Sequence, residues 1–502
     1  MKINYVINKD GSVQQGISSI PVVGKVDVVV AGGGTAGVVA AIAAARNKAK
    51  TLLVEVTGAL GGTGSSAMMS VFTGSSWATG LSAEVIERLI KAGGAPAWNE
   101  SVDRLPFDPL GRGTDRMNRS QSTPFDPELY KEITLEMTLE AGVEHLFYSL
   151  VSDAIVENDV VKGIIVENKG GRQAILADVV IDCTGDGDVA VKAGAQYCVG
   201  DKNSKMRPIS QLFRLGGLDL KVLYQWAQEH PDQIQPLYQS GQLLEVNGEH
   251  VAARISGFYD FCERAQERGE LSKEIHYIRF EDAWIERGVS LINSTRVYDV
   301  DGTNPSDISK TILTARKQVR QLVRFIRKYL PGCRNAFLID VAPSLGVRET
   351  RHIIGEYFLT SEDEYHDAKF ADAIMSIRRY FPKRGLPDTV EAHPIQPIEG
   401  SKDDPYERAP TSIPVEPHTY QVPYRVLLPK GVKNMLLAGR CISVDHKVDS
   451  TVRNQLICMR MGQVAGTAAA LAVRERRSPN TIIMDELRSL LIKQGLTDLD
   501  EK

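Results

Sequence analysis

Cysteine is scarce: six in 502 residues, at positions 183, 198, 262, 333, 441 and 458. No two are spaced Cys-x-x-Cys and none joins a Cys/His cluster, which excludes a zinc ribbon or a cysteine-ligated iron–sulfur centre. They read as buried thiols of a reducing compartment, so a cytoplasmic protein is expected. An excess of one charge is also lacking. Lys and Arg number 59 against 63 Asp and Glu, a net charge of −4. No broad field therefore draws in nucleic acid or an anionic membrane. The start, MKINYVINKDGSV, has no long apolar core and no cleavage site; Asp10-Gly11 predicts a short hairpin instead. No run reads as a membrane span. A length of 502 residues implies two or more domains.

Glycine, by contrast, is placed with purpose. The stretch KVDVVVAGGGTAGVVAAIAAARNKAKTLLVE, from Lys25 to Glu55, reads as strand, glycine turn, helix and second strand. Gly32, Gly34 and Gly37 form Gly-x-Gly-x-x-Gly, and Glu55 stands 23 positions after Gly32. Gly32 suits a tight turn, Gly34 lets a pyrophosphate approach the backbone, and Gly37 allows close packing of helix on strand. The helix N-terminus, beginning around Thr35 and Ala36, offers free N–H groups to phosphate. Glu55 suits a ribose diol. The pattern predicts dinucleotide binding.

Further along, GALGGTGSSAMM (58–69) is too rich in small residues for a core and predicts backbone lying against a ligand. Residues 70–125 read as loops. In FDPELYKEITLEMTLEAG, Asp126 caps a helix, Pro127 occupies its first position, and Tyr130, Ile133, Met137 and Ala141 share a face. A meander follows, with turns at Asn158-Asp159 and Lys169–Gly171. Its last run, Val179–Cys183, is apolar enough to enter a parallel sheet and ends in Thr184-Gly185-Asp186. ARKQVRQLVRFIRKYL (315–330) reads as an amphipathic surface helix, with phosphate binding the lesser alternative. Residues 205–424 lack a βαβ rhythm and read as an insertion. Order resumes at NMLLAGRCIS and a small-residue helix, TVRNQLICMRMGQVAGTAAALAV.

These motifs, together with NSTRVYDVDGT and GVRETRHIIGEYFLTSED, resemble the FAD-dependent oxidoreductases of the two-dinucleotide-binding-domain flavoprotein group, distant relatives of fumarate reductase flavoproteins. The likeness runs from about residue 26 to 473. It implies an α/β fold: a Rossmann-like FAD-binding domain with a parallel sheet and β-meander, plus an inserted α+β substrate domain. The expected division is an N-terminal extension (1–24), an FAD-binding domain (25–70, 126–205 and 425–475), a substrate domain (71–125 and 206–424) and a tail helix (476–502). The resemblance also implies FAD, without covalent attachment. Beyond the first turn, Gly61, Gly62, Thr63, Ser65, Val151, Thr184, Gly185 and Asp186 are expected along the cofactor. Gly439-Arg440 is expected near its flavin end. Gly462, Gln463 and Ala465 match the start of a helix aimed at the flavin. Asn47 departs from the family pattern, where glycine often follows the arginine of the first helix.

Flavin chemistry needs a hydride partner and a group that moves a proton. His446 is the first candidate, because it follows Gly439-Arg440 and imidazole is the side chain suited to proton transfer at ordinary pH. Asp445 and Asp449 are candidates to orient it. Arg453 is read either as an anion binder or as an ion-pair partner. Arg348 and His352, with Glu349 and Arg351, are placed either in the substrate cavity or in a salt-bridged seam. Asn293, Thr295 and Arg296 are further cavity candidates. Phe72 and Trp77 are candidates to cover the flavin.

The expected activity is hydride transfer between flavin and a small polar substrate at a CH–OH, CH–NH or CH–CH centre. The alternatives are an FAD-binding RNA-modification or non-redox flavoprotein and, less suited to the extra glycine turns, an NAD-binding regulator. Partners expected are a small-molecule substrate and an electron acceptor of unknown identity, with no nucleic acid and no membrane; a homo-oligomer is compatible with the chain.

Overall fold

The structure, a computed structural model, describes residues 5–8, 10, 12–15, 19–73, 78–97, 122–234, 243–252, 254–382 and 415–496. The N-terminal hairpin forms as expected, with Tyr5–Ile7 antiparallel to Val13–Gln15. The first large sheet then begins. Strand β1 (Val22–Ala31) runs into helix α1 (Thr35–Arg46) and returns as β2 (Thr51–Val54), parallel to β1. Alternation is lost in Val28–Ala31 because both faces of the strand are buried. Asn47, the departure noted above, donates its side-chain amide to the Ala43 carbonyl at 2.7 Å and so closes the end of α1.

The loop reading of 70–125 gives way to a helix, α2 (Leu81–Lys91). Leu81, Val85, Ile86 and Leu89 lie in the first hydrophobic core beside α1, although the sequence places this stretch with the substrate domain. Their i, i+4, i+5, i+8 spacing is the helical signal that the surrounding Gly and Pro obscure. Helix α3 (Pro127–Glu140) has the expected cap, Asp126 accepting from the Glu128 and Leu129 amides.

Two strands follow α3 before the first meander turn. β3 (Glu144–Leu146) joins the sheet parallel to β2, and β4 (Leu150–Glu157) starts the meander with β5 (Val160–Asn168) and β6 (Gly171–Asp182). Asn158 and Asp159 both take positive φ, 50° and 63°, the geometry of a tight hairpin turn. Strand β6 does two things along its length. Its first half pairs antiparallel with β5, and its second half runs parallel to β1.

The next unit has its own core, drawn from residues between Phe213 and Ala336. Its antiparallel sheet of seven strands includes β7 (Phe213–Gly216), β8 (Ile278–Trp284), β9 (Val289–Ile292) and, beyond helix α4 (Pro305–Tyr329), β10 (Phe337–Val341). The basic segment is the amphipathic surface helix expected: Ala315, Val319, Leu322, Phe325 and Ile326 of α4 are buried, while Arg316, Lys317, Arg320 and Arg324 face outward. Residues 353–377 and 420–428 return to the first core. Residues 383–414 of the stretch read as an insertion lie outside the described residues.

Strand β11 (Met435–Leu437) pairs parallel with the end of β6, Val180–Asp182. Helices α5 (His446–Val452) and α6 (Gln455–Glu475) follow. Helix α6 is long and apolar enough to cross a membrane, but 94% of its apolar window is buried inside the protein. It lies on α1 with backbone against backbone. A Cβ added at Gly462 would stand 2.2 Å from the Ala36 carbonyl oxygen, and one at Gly466 would stand 2.1 Å from that of Ala40. The tail carries the helix expected there, Met484–Lys493.

Candidate active site

Three glycine turns meet at the C-terminal edge of the parallel strands. At the first, Gly32 has φ +98°, and a Cβ there would lie 2.5 Å from the Cys183 carbonyl. Gly37 is tighter still: its Cβ would meet the Gly32 oxygen at 1.8 Å. Both positions therefore require glycine. Gly34 differs, because a Cβ there would meet nothing within 4 Å. Its α-carbon faces an open cleft of about 400 Å³, lined also by Gly32, Thr35, Ala36 and Glu55. Glu55 accepts the Gly33 amide at 2.7 Å and the Thr57 amide at 2.8 Å, so the acid also holds the turn in shape.

The second turn packs on the first. The Thr35 hydroxyl donates to the Gly61 carbonyl at 3.1 Å, and a Cβ at Gly62 would lie 2.8 Å from the Gly34 α-carbon. Gly62 and Thr63 line the cleft. Gly61 and Ser65 stand behind it: Gly61 abuts Tyr130, and the Ser65 hydroxyl donates back to the Gly62 carbonyl. Val151 contributes from the meander.

Thr184, Gly185 and Asp186 form the third turn and also line the cleft. It is organised from below by Asp182, fully buried at the end of β6. That carboxyl accepts the Thr184 amide and hydroxyl and the Ala190 amide, at 3.0, 2.7 and 2.9 Å. Burial pushes it up to about 6 despite these donors. Arg440 reaches across from the turn after β11 and donates to Asp186 at 3.0 Å. Gly439 beside it has φ +104° and lines the same wall.

A second chamber of about 270 Å³ opens from the cleft and shares Thr63, Ala67, Val347, Arg440, Arg453 and Gln455 with it. Its far wall comes from the antiparallel sheet: Arg254, Arg279, Glu281 and Asn293, with Arg348 at the rim. The Arg254 Nε lies 2.7 Å from Glu281, and the Asn293 amide donates to the other Glu281 oxygen at 2.7 Å. Burial works to raise the Glu281 carboxyl, but the charges of Arg254 and Arg279 outweigh it and hold it below the usual range. Arg254, Arg279 and Glu281 were not singled out from sequence. The signal was available in YIRFEDAW, where charges interrupt an apolar strand. What sequence could not show is that pairing of β8 with β9 slips between Phe280 and Ala283, an irregularity that re-aims the intervening side chains.

The histidine candidates sit elsewhere. His446 opens α5 and its Nδ1 donates to Glu349 at 2.8 Å; it is in the wall of neither cavity. His352 is buried, with Nε2 3.0 Å from the same carboxylate. Asp445 and Asp449 do not orient His446. Asp445 caps α5 and accepts the Ser361 amide, while Asp449 lies 3.3 Å from Arg207 and 3.6 Å from Arg453. Arg453 lines both cavities and also stands in the ion pair with Asp449. Arg348 lines the chamber and donates to the Pro208 carbonyl at 2.5 Å and the Ser210 hydroxyl at 3.0 Å.

Other expectations need correction. Gly462, Gln463 and Ala465 do not open a helix: α6 starts at Gln455, and these three are buried two turns inside it. Gly462 is the contact with α1, and Gln463 accepts the Leu81 amide at 2.9 Å. The helix start that does face the cleft is Asn454-Gln455, without a side-chain cap. Phe72 covers no cavity. It is fully buried, stacked on Phe125 at 4.2 Å. Trp77 lies outside the described residues. Thr295 and Arg296 are buried structural groups, with Gln318 of α4 bonded to both the amide and carbonyl of Arg296. Asn293 alone of that trio reaches the chamber.

A family model described as FAD dependent oxidoreductase matches residues 27–491. The chain belongs to that family. It is an enzyme whose cofactor is FAD. Among solved structures, this FAD-dependent oxidoreductase is similar to a geranylgeranyl bacteriochlorophyll reductase-like protein from Thermoplasma acidophilum. Identity is 13%, coverage is 95% of this chain and 85% of that one, and the TM-score is 0.47. It is also similar to p-nitrophenol 4-monooxygenase from Pseudomonas putida, at 10% identity, 92% and 84% coverage and TM-score 0.45. A myxobacterial FAD-dependent halogenase shows 10% identity, 93% and 78% coverage and TM-score 0.45.

The cleft fits the cofactor on its own terms. Gly34 leaves room where any side chain would intrude. Two buried polar atoms on cleft residues, Nη1 of Arg440 and Oε1 of Gln455, have no partner within the described protein. Buried groups of this kind are normally satisfied, and a polar ligand would satisfy them. The turns at Gly32–Ala36 and Gly62-Thr63 would hold the phosphates. Arg440 and Gln455 would meet the polar edge at the far end.

Proposed function

We propose that this oxidoreductase transfers hydride between non-covalently bound FAD and a small polar substrate, at a CH–OH, CH–NH or CH–CH centre. The observation that carries the reading is the junction of the two cavities. A glycine-lined cleft opens into a chamber walled by hydrogen-bonding side chains, through six shared residues. FAD, when bound, accepts or gives the hydride.

The chain's own residues do the rest. Asn293 and Arg348 stand in the chamber wall and would orient a polar substrate. Glu281 is the one carboxylate among the described residues of the chamber wall. In the oxidising direction it takes the proton of the substrate hydroxyl as the hydride leaves carbon; in reduction it returns that proton. Arg254 and Asn293 keep it ionised and aimed. Non-covalent attachment is supported by the thiols in the cleft wall. Burial pushes Cys458 up to about 12 and raises Cys183 well above the ordinary thiol value, so neither is a ready nucleophile.

The test is anaerobic mixing of the FAD-loaded protein with sugars, hydroxy acids and amines. Bleaching of the flavin band by one class, and its recovery with an oxidant, supports the reading. A flavin that no donor bleaches, and that no acceptor reoxidises after chemical reduction, sinks it.

A further inference from the structure

Strand β8 carries an extra residue where it faces β9. Phe280 pairs with Ile292 and Ala283 pairs with Ser290, so Glu281 and Asp282 together oppose Leu291 alone. This is a β-bulge, which bends a strand and re-aims its side chains. Glu281 lines the chamber, whereas Asp282 beside it lines neither cavity. The buried Asp282 carboxylate meets two donors from different parts of the protein. One oxygen accepts the Leu291 amide at 2.7 Å, and the other accepts the Ser70 hydroxyl at 2.6 Å. The first bond fastens β8 to β9 at the residue where their pairing slips. The second crosses to the loop after the second glycine turn, where the Ser70 carbonyl in turn accepts the Phe125 amide at 2.8 Å. Met68, Leu212, Leu291 and Ala342 pack together along the same seam. Burial pushes the Asp282 carboxyl up to about 7 despite its donors, so an amide of the same shape resembles it closely.

We infer that Asp282 is a positioning residue for Glu281: it clamps the bulge, and the bulge turns the Glu281 carboxylate into the chamber. This rests on the proposed function, in which Glu281 moves the substrate proton. Successive residues of a strand face opposite ways, and a one-residue slip of pairing exchanges the two faces. Without the Asp282 carboxylate, two buried donors at Ser70 and Leu291 would be left unmet, and β8 would be free to shift its pairing. Arg254 and Asn293 hold the Glu281 carboxylate from the chamber side, and Asp282 fixes the backbone that carries it.

The experiment uses the full-length, FAD-loaded protein with the donor that bleaches it best. Asp282→Ala is expected to slow flavin reduction at saturating donor about 30-fold, with FAD content at one per chain. Asp282→Asn should restore the rate to within about twofold of wild type, because its amide oxygen accepts Leu291 and its N–H groups donate to the Ser70 oxygen. In a Glu281→Gln background, Asp282→Ala should change the rate by less than about twofold, since the group it positions is gone. A general loss of stability would instead multiply through the double variant. Ser70→Ala keeps the Leu291 bond and should slow reduction about fivefold, and it carries the test if Asp282→Ala does not fold. A wild-type rate in Asp282→Ala or Ser70→Ala, no rescue by Asp282→Asn, or full multiplication in the double variant would overturn the inference. Crystal structures of the variants separate its failure from that of the redox reading. If no donor bleaches the flavin in any form, the redox reading falls and the position of Glu281 still decides this one. Glu281 withdrawn from Arg254 and Asn293 supports the clamp, and Glu281 still in hydrogen-bond reach of both defeats it.

Discussion

Nδ1 of His446 lies 2.8 Å from Oε1 of Glu349, and Nε2 of His352 lies 3.0 Å from the same oxygen. One buried acid thus receives two imidazoles. Arg207 completes the knot: its amide donates to Glu349, its Nε lies 3.3 Å from Asp449, and its Nη2 donates to the His446 carbonyl. The cluster ties the start of the inserted unit to α5, beside the cavities rather than within them.

Its stability contribution has a defined pH window. Burial works to raise the Glu349 carboxyl, but the hydrogen bonds from His352 and His446 outweigh it and hold it at about 2. Burial likewise works to lower His352, and the Glu349 bond with the charges of Asp449 and Glu349 raises it instead. Glu349 therefore stabilises the fold fully above its unfolded value of 4.5, losing this as pH falls toward 2. His352 stabilises below its unfolded value of 6.5, losing this as pH rises through its raised value. Glu349→Gln should cost about 3 kcal/mol near pH 5.5, with a smaller penalty at pH 3. Denaturant melts of both proteins across pH check this; a pH-independent difference would refute it.

His446→Ala should leave flavin reduction within about threefold of wild type, because the ring lines neither cavity. Glu281→Gln should slow it by about 100-fold with FAD content unchanged, the usual scale for losing a positioned proton acceptor. Anaerobic stopped-flow reduction with the best donor measures both. Reversed results would return the proton-moving role to His446.

Gly34→Val separates cofactor binding from folding. Gly34 has φ −71°, ordinary for valine, and a Cβ there meets no protein atom. The apoprotein should melt within a few degrees of wild type yet bind FAD at least ~100-fold more weakly. Gly32→Val, with φ +98° and a backbone clash, should fail to fold stably. FAD titration by fluorescence and thermal melts of the apoproteins distinguish the two.

Gly462→Val tests the helix contact. The added side chain would press on the Ala36 carbonyl, and overpacking of this kind costs about 1–3 kcal/mol or more. The melting temperature should fall by several degrees. If it does not, the two helices are less tightly apposed than the structure shows.

The first glycine turn, Glu55, the Asp126 cap and the meander were all legible in sequence, because each rests on neighbours within one turn or one strand pair. The helix at 81–91 was missed because glycine and proline around it mask its apolar spacing. Gly462 and Gln463 were misplaced for a different reason. A small-residue motif inside a helix serves close helix packing as readily as ligand approach, and only the position of α1 decides between them.

Local chemistry alone therefore determined a dinucleotide fingerprint: positive-φ glycines, a strand on each side and an acid at the right distance are properties of contiguous chain. The chamber was decided only in three dimensions. Glu281 and Arg453 are far apart in sequence, and each by itself looks like a buried ion-pair residue. An irregularity in β8 and the return of the chain as β11 and α5 bring them to one cavity. Charge at a distance acts through space, and the sequence does not record that distance.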